Sequence, residues 1–131
     1  PLTVYGKGGQ TRGYLNIKDT LQCVHMAEKN PAKPGNLNIY NQIMETFTVN
    51  QLAELTLEAG QALGYDVNIK NIENPRVELE DHYYNPSYQG LIELGVKPNY
   101  LTIDSMKEML KVVAGHKQQI KTGVIFKGVK W

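Results

Sequence analysis

The segment from Phe47 to Gly64 limits the fold more than any other part of this chain. Thr48 and Gln51 have the spacing of a capping box, in which each side chain satisfies a backbone N–H left free at a helix start. Phe47 and Leu52 stand where a hydrophobic staple belongs. Leu52, Leu55, Ala59 and Leu63 recur as an apolar stripe, and Gly64 sits where a left-handed C-terminal residue is wanted. Val67, Ile69 and Ile72 then alternate as a half-buried strand does. A capped amphipathic helix followed directly by a strand predicts an α/β fold: short strands in a small mixed sheet, with about four helices against it.

The same alternation runs through the rest of the sequence. Leu2–Tyr5 reads as a short strand ended by Gly6-Lys7-Gly8-Gly9, a flexible turn. Gly13–Ile17 reads as a second strand, and Asp19 as the cap of a helix carrying Leu21, Val24 and Ala27 or Met26. Asn30–Gly35 stops that helix, and Leu37, Ile39 and Tyr40 suggest a strand running to Asn41. Asn74–Tyr84 has no regular pattern. Asn85-Pro86 opens a short helix that Gly95 ends, with Leu91 and Val96 spaced for the apolar contact of that ending. Thr102 and Asp104 compete to cap a last helix with the stripe Met106, Met109, Leu110, Val113 and Ile120. Thr122–Trp131, with several lysines around Val124-Ile125-Phe126, predicts no element.

Composition narrows the function. The 131 residues, with no internal repeat or long linker, are expected to form a single domain. The 14 Lys+Arg against 13 Asp+Glu argue against nucleic-acid binding, which shows as a basic excess or stripe. No apolar run approaches the roughly 20 residues of a membrane helix, and no signal-peptide pattern is present. Cys23 is the lone cysteine, with no zinc spacing around it, so it reads as a core residue. A cytoplasmic or other reducing soluble compartment is expected. The sequence begins at Pro1, directly in a strand-like segment, which reads as a piece cut from something longer; tag removal or Met processing is the alternative.

Only Arg12 and Arg76 among the basic residues are arginines, and neither lies on a predicted helix. A guanidinium offers a planar fork for phosphate or carboxylate that lysine does not reproduce. Two such forks suit a diphosphate; a structural ion pair, Arg76 with Glu78 or Glu80, is the alternative. His82, between acidic residues and Tyr83-Tyr84, has the surroundings of a proton-transfer site. It has no second ligand at metal spacing in His25 or His116. Tyr83 and Tyr84 suit stacking on a sugar or base, or an ordinary half-buried aromatic pair. No Gly-x-Gly-x-x-Gly follows a strand, and no Tyr-x-x-x-Lys pair occurs, so neither a dinucleotide site nor a catalytic pair of that type is encoded.

Several stretches resemble the C-terminal portion of extended short-chain dehydrogenase/reductases, the NAD-dependent nucleotide-sugar epimerase/dehydratase family. They are Tyr5–Leu15, Asn30-Pro31-Ala32-Lys33, Asn74–Glu78 and His82–Asn85. The last two are similar to the branch that adds sulfite to its nucleotide sugar. The resemblance implies that UDP-glucose or a related nucleotide sugar is the ligand. The backbone at Thr3 and Tyr5 would face the uracil, Arg12 and Arg76 would hold the pyrophosphate, and Tyr83 with Glu78 or Glu80 would line the sugar end. It also implies NAD as cofactor of the full-length family, bound by a Rossmann half this sequence does not contain. No cofactor is expected in the chain itself. An apolar face left by that missing half implies self-association or a partner covering it.

Overall fold

Helix α2, Val49–Ala62, forms where its signals place it. The Thr48 hydroxyl accepts from the Gln51 N–H at 3.1 Å, and the Gln51 side chain accepts from the Thr48 N–H at 2.8 Å. Gly64 follows the helix at φ 80°, a conformation that suits a residue without Cβ. This computed structural model describes residues 2–74 and 85–121. In chain order they form β1 (Leu2–Tyr5), β2 (Thr11–Tyr14), α1 (Ile17–Lys29), β3 (Glu45–Thr48), α2, β4 (Ile69–Ile72), α3 (Gln89–Leu94) and α4 (Ile103–Gly115). A 3-10 turn, Lys117–Gln119, follows. The α/β class and the four α-helices are as expected, and the strands divide into two ladders of two, β1–β4 and β2–β3. The chain forms two compact units, one from Pro1–Gln10, Thr48–His82 and Thr102–Trp131, the other from Thr11–Phe47 and Tyr83–Leu101.

In the first unit, β1 pairs in parallel with β4, Leu2 opposite Ile69 and Tyr5 opposite Ile72. Helix α2 covers this ladder and also packs on α4. Small residues on α2, Ala53, Ala59 and Gly60, are buried and let its backbone come close to its neighbours. A Cβ on Gly60 would stand 2.7 Å from Val67 Cγ2. Gly60→Ala is therefore expected to lower stability by about 1–2 kcal/mol in urea denaturation, even though Ala is the better helix former. A stabilised variant would show that Val67 yields freely. Thr102, not Asp104, caps α4: its hydroxyl accepts from Ser105 N–H at 3.2 Å. The α4 stripe is only partly used. Met106 is buried, Met109 and Val113 are exposed, and Ile120 lies beyond the helix.

In the second unit, Cys23, Met44, Leu91 and Val96 form the core, with Leu15, Tyr40 and Leu94 against it. Gly95 ends α3 at φ 99°, and Val96 N–H donates to Leu91 O at 3.0 Å, the closure expected from their spacing. Tyr14 and Phe47 meet edge to face across β2 and β3. Four local expectations are corrected here. The second strand is Thr11–Tyr14 rather than Gly13–Ile17, because Asn16 takes the cap position and accepts from Lys18 N–H. Asp19 is buried inside α1 rather than capping it. Leu37–Asn41 is not a strand; Leu37 and Ile39 are exposed, and Tyr40 anchors the segment to the core. Helix α3 begins four residues after Asn85, beyond Tyr88.

Candidate nucleotide-sugar site

Strand β1 places Thr3 and Tyr5 two residues apart on one side, both exposed, with Val4 turned into the core at 2% exposure. Leu2 N–H donates to Asn68 O at 2.8 Å and Gly6 N–H to Ile72 O at 2.9 Å, so the even-numbered residues face β4. In a parallel ladder the residues between them point the other way. Thr3 and Tyr5 thus turn their backbone N–H and C=O groups to the opposite edge of β1, where the described residues place no ladder partner. An open strand edge presents alternating donors and acceptors, which a planar heterocycle edge matches. Thr3 also lines a groove of about 180 Å³ with Leu2, Val4, Leu52 and Thr56.

The glycine turn after β1 is fastened at three points, which the sequence pattern of a flexible loop does not suggest. Asn71 Nδ2 donates to Gly6 O at 2.8 Å, Asn50 Nδ2 to Lys7 O at 2.9 Å, and Asn50 N–H to Gly8 O at 3.0 Å. Gly8 has φ 70°, and a Cβ there would lie 2.7 Å from Val4 Cγ1. Only glycine meets both conditions, so the turn depends on it. Asn50 and Asn71 were missed in the sequence because a single asparagine on a helix or strand carries no signal of a long-range partner. At the end of the turn, Gln10 is buried, and its Oε1 has no hydrogen-bond partner.

Arg12 lies on β2, half-buried, and its guanidinium donates to Thr11 O at 2.9 Å. Arg76, Glu78, Glu80, His82, Tyr83 and Tyr84 lie outside the described residues. In the second unit, Ile43–Phe47 with Asn85, Pro86 and Tyr88 line a cleft of about 390 Å³. Cys23 is buried, and desolvation pushes its thiol pKa up, which keeps the sulfur protonated at neutral pH and unsuited to nucleophilic work. Among the described residues no group of three His, Cys, Asp or Glu could hold a metal. No described helix is long and apolar enough to cross a membrane.

Across all 131 residues the chain is 47% identical to the chloroplastic UDP-sulfoquinovose synthase of Spinacia oleracea. It is 41% identical, over 133 aligned positions, to the UDP-sulfoquinovose synthase of Sulfolobus acidocaldarius. The chain is homologous to these UDP-sulfoquinovose synthases. It spans 27% of the length of the first and 34% of the second. No protein-family profile matches it. The similarity to these synthases covers β1, the glycine turn and Arg12 as well as the segment around Arg76, because it runs from end to end.

Proposed function

We propose that this chain is the UDP-sugar-binding portion of an NAD-dependent, UDP-sulfoquinovose synthase-like enzyme, with UDP-glucose as its ligand. End-to-end identity of 47% to a protein that carries that name supports the reading most strongly. The open edge of β1 at Thr3 and Tyr5 would meet the uracil, whose ring alternates acceptor, donor and acceptor. Arg12 and Arg76 would hold the diphosphate through charge-assisted forks. Glu78, Glu80 and Tyr83 would line the hexose end. Residues 1–131 act as one ligand-binding region in this reading, and a Rossmann half would cover its exposed apolar residues; without it, the chain would self-associate.

The glycine turn of this chain does not fit NAD. It leads from β1 into β2 rather than into a helix N-terminus, so no run of free N–H groups and helix dipole waits for a dinucleotide. The dinucleotide belongs to another part of the enzyme, and the isolated chain is expected to be inactive. Isothermal titration of the purified chain tests the reading. UDP-glucose is expected to bind, with ADP-glucose at least tenfold weaker. Equal affinity for both would remove the uracil from the account, and turnover of UDP-glucose with sulfite would show that the chain is catalytic by itself.

A further inference from the structure

From the way the glycine turn is held we infer that Asn50 is a positioning residue for the nucleotide sugar: it keeps the turn that leads from the uracil-facing edge of β1 to Arg12 in the shape the ligand needs. This rests on the reading above and adds a residue that acts through the turn rather than on the ligand. Residues 6–9 hold three glycines, with Gly6 at φ 63° and Gly8 at φ 70°. Such a segment loses much conformational freedom when it is fixed, and a loose one would have to be ordered at the moment of binding. Asn50 orders it beforehand. Its Nδ2 donates to Lys7 O at 2.9 Å and its N–H to Gly8 O at 3.0 Å. Helix α2 has no need of that side chain, because Thr48 and Gln51 already cap its start and asparagine is a weak helix former. The hold also sets the polarity of the turn. No peptide bond among the described residues is cis, and in a trans peptide the N–H points opposite to the C=O before it. With Gly8 O turned to α2, the N–H of exposed Gly9 points away from that helix. The turn thus shows a donor outward and keeps the Lys7 and Gly8 oxygens on Asn50, the polarity that suits an anionic diphosphate.

The test compares the wild-type chain with Asn50→Leu, which keeps the shape of the side chain and removes its donor. The main-chain bond from residue 50 to Gly8 O and the cap of α2 do not depend on that side chain, so the variant is expected to fold. Asn50→Ala, which favours the helix, is run beside it with the same expectations. All three chains are labelled with 15N and titrated by NMR with uridine and with UDP. Heteronuclear NOEs report picosecond-to-nanosecond motion of single amides. In the free variants those of Gly6, Gly8 and Gly9 are expected to fall below wild type, and saturation with UDP is expected to restore them. UDP affinity is expected to drop roughly tenfold, the share of one hydrogen bond. Uridine, which reaches only β1, is expected to bind nearly as it does to wild type. Equal losses for uridine and UDP, unchanged UDP affinity, or free-state NOEs equal to wild type overturn the inference. A wild-type chain that binds neither ligand overturns the proposed function itself, an outcome visible before any variant is made.

Discussion

Asp19→Ala is expected to destabilise the chain by about 3 kcal/mol. The Asp19 carboxyl is fully buried in the first turn of α1, where it accepts from Asn99 N–H at 2.8 Å, from the Asn99 side-chain amide, and from Gln22 Nε2 at 2.9 Å. Gln22 in turn accepts from Lys97 N–H at 3.1 Å and donates to Lys97 O at 3.0 Å. Together these bonds fasten the segment after α3 to α1. Truncation to alanine leaves the Asn99 N–H without its acceptor and opens a small void. Each unsatisfied buried donor costs about 1–3 kcal/mol. Urea denaturation followed by circular dichroism should show a lower midpoint with an unchanged slope, since the unfolded surface is the same. Asp19→Asn keeps the volume but turns an N–H₂ toward other donors, so about half of the loss is expected to remain. A midpoint within error of wild type for Asp19→Ala would mean that water satisfies Asn99.

The second large effect concerns binding. Arg12→Ala together with Arg76→Ala is expected to weaken UDP-glucose by at least a hundredfold, with each single change costing about tenfold. Hydrogen bonds to charged groups are worth about 1.5–3 kcal/mol. Lysine at either position should recover part of the affinity through charge but not the bidentate fork. Raising the salt concentration should weaken wild-type binding and leave the double variant nearly unaffected. A double variant that binds as wild type does would assign both arginines to structural ion pairs.

Elements with local, redundant signals were readable from the residues. The capping box, stripe and terminal glycine of α2, and the Gly95 ending of α3, each state their place several times within a few positions. The misread elements depend on distant partners. Leu37–Asn41 has the alternation of a strand, but Tyr40 alone finds the core, and no neighbouring strand takes up the backbone. Asp19 has the composition of a cap, but Asn99, eighty residues away, sets its role. Strand β3 was not anticipated because Glu45-Thr46-Phe47-Thr48 merges with the helix signal that begins at Thr48. Of the proposed site, the residue types suited to a diphosphate were visible in the sequence. The fastened turn was not, since it arises from contacts with Asn50, Asn71 and Val4.

Backbone amide NMR of the labelled chain during a titration with UDP-glucose tests the central claim most directly. Saturable shifts should concentrate on Thr3, Tyr5 and Arg12, and on the segment around Arg76. Absence of shifts at ligand concentrations in the millimolar range, or shifts confined to the Ile43–Phe47 cleft, would contradict it.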